Sequence, residues 1–352
     1  MKKLINCYDE TISPENLWRA WLIYRRGKRG RLAVSEFEVE LENNLLDLRN
    51  DLLGRKYYHG GYRTFLVHDP KRRVISAPSV RDHILHQAVY NILYGFYDRT
   101  FCFGSCSCRD GKGLYKAWDF ARRYIRQFEN NQCWVLHGDI KKCFDSISHN
   151  ILKKIIRERL LCDGTLAVLD EIINSYEVNN VNGDSHGIPL GNLTSQLFIN
   201  IYLDKLDKYA KDELRIKRYL RYADDFYIFC ESKDECVKIA NNIRNFLKNK
   251  LSLDFPLDHQ QIENTFSGVT ILGQTFFPEY IKISAKTYKR MTIKFEQKIE
   301  NYENKNISQI SLNSSWQSFK GVLDYGENYG YKKKMLYKIC VLPFLSNMIK
   351  YN

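Results

Sequence analysis

The sequence predicts an α+β protein, with a central antiparallel sheet wrapped by helices and a helical C-terminal region. Three observations predict it. Short β-prone runs at 62–76, 133–140, 218–229 and 270–277 alternate with longer segments of helical period. The run at 218–229 bends at a tight Ala223-Asp224-Asp225 corner. Its Tyr, Phe and Ile residues favour strand, and Asp tolerates a turn. Past Pro278 the composition shifts to Lys, Tyr and Asn in a helical pattern.

Taken in order, residues 1–60 read as helical and basic. Arg25, Arg26, Lys28, Arg29 and Arg31 sit among glycines, either as a phosphate-binding segment or as a solvated loop. At 36–53, Phe37, Leu41, Leu45, Leu46 and Leu48 follow helical period. A β-hairpin is expected at 62–78, turning at Asp69-Pro70. Lys71, Arg72 and Arg73 stand at its corner, where such cations suit a triphosphate. A helix from about Val80 buries Ile84, Leu85, Ala88, Val89, Ile92 and Leu93. Gly104, Gly111 and Gly113 make the following stretch a loop, and 114–128 returns to helix. The strand at 133–140 ends at Asp139. Ser148 then caps a helix with Ile151, Leu152, Ile155 and Ile156 inward. A polar stretch follows at 162–186. The Gly/Pro loop after it opens a long helix carrying Leu193, Leu197, Ile201 and Leu206 on one side. A helix over about 233–250 and a single strand over 270–277 complete the sheet region. Near the C-terminus Trp316, Phe319, Tyr325 and Tyr329 lie among lysines, either to stack on nucleic acid or to fill a helical core.

Composition narrows the class. Apolar residues make up 44% of the 352, which excludes a disordered chain. Lys plus Arg is 54 against 41 Asp plus Glu, a net charge of +13 that suits a polyanionic partner. No apolar run approaches the ~18 residues of a membrane span. The N-terminal Met-Lys-Lys has no apolar segment behind it, so a soluble, cytoplasmic protein without a signal peptide or membrane partner is expected. The ten cysteines are expected to be reduced, and the spacing of Cys102, Cys106 and Cys108 is not that of a zinc site.

Adjacent Asp224 and Asp225 repel each other, and a divalent cation neutralises such a pair well. Asp139 lies 85 residues before Asp224, and a central sheet brings the two strands side by side. Three carboxylates at one sheet edge suit two Mg²⁺ ions and in-line phosphoryl transfer.

These residues resemble the motifs of reverse transcriptases. His137-Gly138-Asp139-Ile140-Lys141-Lys142-Cys143-Phe144 resembles the first catalytic motif, and Tyr222-Ala223-Asp224-Asp225 the second. The Gly191-Asn192-Leu193-Thr194-Ser195-Gln196 stretch resembles the motif between them. Ile271-Leu272-Gly273 resembles the primer-grip turn, and Arg73-Val74-Ile75-Ser76-Ala77-Pro78 the fingers motif. The order is kept over roughly residues 60–325. The resemblance implies a right-hand polymerase fold with fingers at 1–125, an antiparallel-sheet palm at 126–280 and a helical thumb at 281–352. It implies an RNA-directed DNA polymerase that uses deoxynucleoside triphosphates, a template RNA and two Mg²⁺ ions. Asp139, Asp224 and Asp225 would hold the metal, with Ile140 beside them. Lys71, Arg72 and above all Arg73 would meet the triphosphate. Leu190, Gly191, Gln196 and Tyr222 would face nucleotide or template, and Leu272 and Gly273 would form the primer grip. Phe144 is either a ring under the sugar, where it clashes with a 2′-hydroxyl, or core. Arg81 is either a substrate contact or an ion-pair partner.

Most of that family carries Gln-Gly-x-x-x-Ser-Pro where this chain has Leu190 to Gln196. The departure, with Ser315-Trp316-Gln317, is similar to the enzymes of diversity-generating retroelements. Those make error-prone cDNA, with frequent errors at template adenines, and work with a small basic, oligomeric accessory protein and the template's own structured RNA. Retron and abortive-infection reverse transcriptases are the alternatives within the fold. A non-catalytic RNA-binding scaffold that keeps the fold belongs to another class, and an enzyme adding nucleotides without a template, as in defence proteins of this fold, is a third reading. Three mutually repelling acids argue against the scaffold.

Overall fold

A computed structural model describes residues 2–68, 72–128 and 133–340, with side chains to 336. The architecture mixes helix and sheet, and the chain divides into two compact units. One comprises Met1–Asp110, Gly138–Phe226 and Ile239–Gln260, the other Gly111–His137, Tyr227–Lys238 and Gln261–Asn352. A four-stranded sheet runs in the order Gln260–Asn264, Trp134–Asp139, Asp225–Cys230, Tyr219–Tyr222. The strand ending at Asp139 therefore lies beside the strand beginning at Asp225, the adjacency on which the carboxylate reading depends.

In the first unit the helix Pro14–Tyr24 packs on the helix Val80–Asp98. Each starts for a local reason. The Ser13 hydroxyl accepts from the Asn16 N–H with Pro14 at the first helical position, and the Ser79 hydroxyl accepts from the Asp82 N–H. The helix Leu193–Lys208 also packs on Val80–Asp98 and is buried on nearly every side. Leu197, Phe198, Ile201, Leu203 and Leu206 are all at most 2% exposed, and burying each contributes about 1.5–3 kcal/mol. The strands Arg63–His68 and Arg72–Ala77 form the expected antiparallel hairpin, with Phe65 opposite Ile75 and Val67 opposite Arg73. Lys71 and the expected turn at Asp69-Pro70 lie outside the described residues.

Two expectations need correction here. The stretch 36–53 holds two helices, Leu32–Val39 and Leu41–Leu53, because Glu40 leaves helical geometry at φ −110° and ψ 38°. The polar stretch 162–186 contains the helix Asp163–Asn174 and a small hairpin, Asn179–Val181 with Asp184–His186.

The second unit has a three-stranded antiparallel sheet of Val269–Ile271, Gln274–Phe276 and Ile281–Ile283. The single strand expected over 270–277 is thus two strands. They are separated at Leu272 and Gly273, whose φ angles of 49° and 89° make a tight hairpin turn. The helices Ala285–Glu303, Gln309–Asp324 and Tyr329–Cys340 follow. Phe295, Leu312, Trp316, Phe319, Leu323 and Met335 form a core among them. Trp316 and Phe319 are therefore core rings, whereas Tyr329 is 77% exposed. Among the described residues no helix is long and apolar enough to cross a membrane.

Candidate active site

The site grows from a close approach between two strands. Gly138 lies in Trp134–Asp139, where a Cβ would stand 2.1 Å from the Phe226 Cζ. Phe226 is fully buried and meets Phe255 edge-on, with ring centroids 5.2 Å apart. Only glycine lets the backbone come this near the ring, and the next residue is Asp139.

The corner after Tyr219–Tyr222 brings the other acids to the same place. Ala223 adopts a left-handed φ of 55°. The Ile140 N–H donates to the Asp224 carbonyl at 3.4 Å, joining the corner to the residue after Asp139. Burial, then the charge of Asp225 and that of Asp139, push the Asp224 carboxyl up to about 6. A backbone hydrogen bond and the Arg73 charge pull it the other way. Asp139, Asp225 and Arg73 thus all act on Asp224 electrostatically.

Among the described residues no three His, Cys, Asp or Glu side chains close into a ligand cage. Mg²⁺ does not ask for one, because it is held by one or two carboxylates together with substrate phosphates and water. The donor set suits such an ion. The oxygens are hard, two of the acids are adjacent in sequence, and the repulsion that raises Asp224 is what a cation relieves.

The predicted nucleotide-facing residues are linked by main-chain bonds. Lys142 takes a left-handed φ of 46° and opens the short helix Cys143–Ser146, which presents Phe144 half-buried. The Ile188 N–H donates to the Phe144 carbonyl and the Gly187 N–H to the Ile147 carbonyl, each at 2.9 Å. The Ser76 N–H donates to the Leu190 carbonyl at 3.2 Å. Gly191, at φ 105°, has no room for a Cβ, which would stand 2.8 Å from the Ile75 side chain. The loop carrying Leu190 and Gly191 therefore lies between the Phe144 turn and the strand carrying exposed Arg72 and Arg73. Gln196 is exposed one turn into the following helix, and its N–H donates to the Asn192 carbonyl at 3.4 Å. Tyr222, the last residue of its strand, is half-buried.

Arg81 pairs with Asp51 at 2.5 Å and lies over the Tyr57 ring, the ion-pair role weighed for it from sequence. Leu272 and Gly273 occupy the hairpin turn of the second unit, where the Ser284 N–H donates to the Gly273 carbonyl at 3.0 Å. Cys102, Cys106 and Cys108 are free thiols.

Two partners of the site carried no sequence signal. His259 Nδ1 stands 3.1 Å from Asp139 Oδ2 and 3.2 Å from the Asp139 carbonyl. It comes from the short 3-10 turn Leu257–His259, 120 residues away in sequence. Arg221 is fully buried against Asp207. A period-two strand pattern gives Arg221 a face, yet an Arg there reads as a surface residue until its acid partner is located.

Strand order thus brings the paired acids beside the strand end at Asp139. A family model described as reverse transcriptase (RNA-dependent DNA polymerase) matches residues 68–276, more than half of the chain, and the chain belongs to this family. A Saccharomyces cerevisiae protein named as a putative COX1/OXI3 intron 2 protein is 26% identical, over 61% of this chain and 30% of its own length. Protein YkfC of Escherichia coli is 24% identical, over 67% of this chain and 72% of its own. The group II intron-encoded protein LtrA of Lactococcus lactis is 23% identical, over 70% of this chain and 53% of its own. The chain thus spans well under two thirds of the yeast and lactococcal proteins.

Proposed function

We propose that this chain is an RNA-directed DNA polymerase that extends a primer on a template RNA, with Asp139, Asp224 and Asp225 as ligands of two Mg²⁺ ions and Ile140 beside them. The observation that carries the reading is the meeting of the three acids at adjacent strand ends, close enough for Asp225 and Asp139 to raise the Asp224 carboxyl. When bound, the ions supply activation of the primer 3′-hydroxyl and neutralisation of the departing pyrophosphate. The other roles belong to the chain. Arg73, with Arg72 and Lys71, attracts the triphosphate through charge-assisted hydrogen bonds. Phe144 stands where a ring excludes a 2′-hydroxyl, and Leu190, Gly191, Gln196 and Tyr222 bound the nascent pair. Leu272 and Gly273 hold the primer end. Fingers at 1–125, palm at 126–280 and thumb at 281–352, working in the cytoplasm, complete the reading.

The finer assignment is to the diversity-generating type, acting with its template RNA and a small basic accessory protein. Leu190, Gln196 and Ser315-Trp316-Gln317 support it. A second reading, an intron-encoded type, is favoured by the names of the yeast and lactococcal relatives. Error rates at template adenines separate the two.

The test of the shared reading is primer extension on RNA by Asp224→Asn. Loss of a metal ligand is expected to remove about 4 kcal/mol of transition-state stabilisation, roughly a thousandfold in rate. RNA binding is expected to survive. Extension at the wild-type rate overturns the reading.

A further inference from the structure

Arg221 is 0% exposed, a costly place for a charge. All five donors of its guanidinium are engaged. Nε donates to Asp207 Oδ1 at 2.7 Å and one Nη2 bond goes to Asp207 Oδ2 at 2.8 Å, a bidentate pair. The other Nη2 bond goes to the Ser105 hydroxyl at 3.0 Å, and one Nη1 bond to Asn200 Oδ1 at 3.2 Å. The remaining Nη1 bond goes to the Ala223 carbonyl at 3.0 Å. The Asp207 carboxylate, which also accepts from the Tyr219 hydroxyl, already balances the charge. The bond to Ala223 serves a different end.

Ala223 is left-handed, a conformation that costs an L-residue with a side chain roughly 1–2 kcal/mol. Such a conformation persists where its surroundings over-determine it. Here the corner is held at two successive carbonyls, Ala223 by Arg221 and Asp224 by the Ile140 N–H. Arg221 is itself anchored. Its N–H donates to the Gly104 carbonyl and its carbonyl accepts from the Cys106 N–H, both at 2.9 Å. Gly104 fits there because a Cβ would stand 2.2 Å from the Tyr219 carbonyl oxygen.

We propose that Arg221 is a positioning residue for the polymerase reaction. Through the Ala223 carbonyl its guanidinium sets the Asp224–Asp225 pair against the strand end at Asp139, and Asp207 holds the guanidinium in place. This rests on the acids being metal ligands. If Arg221 sets ligand geometry, its loss weakens the grip on the metal. If it only supports the fold, its loss lowers the amount of active enzyme and leaves the metal requirement alone.

The experiment is a Mg²⁺ titration of primer extension on RNA with Arg221→Lys, whose ammonium has three donors in place of five. The expected result is a rise of about tenfold or more in the Mg²⁺ concentration for half-maximal rate, since a displacement of ~1 Å costs up to about a hundredfold. Binding of primed template without metal is expected to stay within about twofold of wild type, because both side chains of the pair are fully buried and lend no surface charge to phosphate. Arg221→Met with Asp207→Asn is the second variant. It removes both buried charges and keeps an acceptor for Tyr219, a replacement that folds tolerate well. It is expected to show the same rise. A wild-type midpoint in the folded variants, with or without a uniformly lower rate, overturns the proposal. Asp224→Asn is measured alongside. If it is inactive while the midpoint stays put, only the role of Arg221 falls. If it extends normally, the metal-ligand reading falls first.

Discussion

Gly138 sets how closely the strand bearing Asp139 approaches its neighbour. An added methyl at 2.1 Å from the Phe226 Cζ has to displace that ring. The ring is held by Phe255, which in turn carries the Arg244 guanidinium at 5.1 Å. Overpacking of this kind costs about 1–3 kcal/mol. Gly138→Ala is therefore expected to lower the urea midpoint by that equivalent. It is also expected to slow extension beyond what stability accounts for, since Asp139 is the next residue. An unchanged midpoint contradicts the packing argument. The Gly138-Asp139 pair was legible in the sequence as a motif. The reason for the glycine was not, because Phe226 reaches it only through strand pairing. His259 and Arg221 escaped for the same cause. A residue held by a partner more than a dozen positions away has no periodic trace.

The loop 187–192 shows the same division between pattern and partner. Its glycines and proline marked it as a loop, and the helix after it was legible in Leu193, Leu197, Ile201 and Leu206. That it joins the Phe144 turn to the Arg72–Ala77 strand rests on main-chain bonds that no side-chain pattern encodes. Two hairpins lay inside longer patterns, the second of them legible only as a turn by resemblance and otherwise as one strand. Asn182-Gly183, with φ of 53° and 82°, is a turn pair inside a polar stretch, and Leu272-Gly273 lies inside an apolar one. Leu190 leads to a prediction at this scale. Its half-buried side chain cannot hydrogen-bond, and an apolar boundary discriminates by only about 1–3 kcal/mol. Leu190→Gln, alone or with Gln196→Pro, is expected to raise accuracy opposite template adenines more than opposite other bases. Sequencing of cDNA made on a template with all four bases reads this directly. An error rate unmoved at adenines in an active variant favours the intron-type reading.

For the molecule as a whole the informative quantity is its +13 charge. The sum was legible, but how individual cations are engaged was not. In the run at 25–29, Arg25 pairs with Glu38 at 2.5 Å. Lys28 donates to the Tyr24 carbonyl and lies 4.0 Å from the centre of the Tyr24 ring, with burial pulling its pKa down. Turn bonds from the Lys28 N–H to the Arg25 carbonyl and from the Arg31 N–H to the Lys28 carbonyl order the segment. Arg26 and Arg29 are exposed. The two sequence readings therefore divide by residue, with Arg25 and Lys28 fastening the segment and Arg26 and Arg29 available to phosphate. Each phosphate neutralised on a single strand contributes about 0.7 to the slope of log affinity against log salt. Replacing Arg26 and Arg29 by Gln is expected to flatten that slope by about 1.4 for single-stranded RNA, with thermal stability unchanged. Replacing Arg25 and Lys28 is expected to lower stability and to change the slope less, because their charges are already engaged within the protein. Equal slopes for wild type and the Arg26/Arg29 variant would return the whole run to a solvated turn. The polyanion contact would then rest with cations elsewhere in the chain.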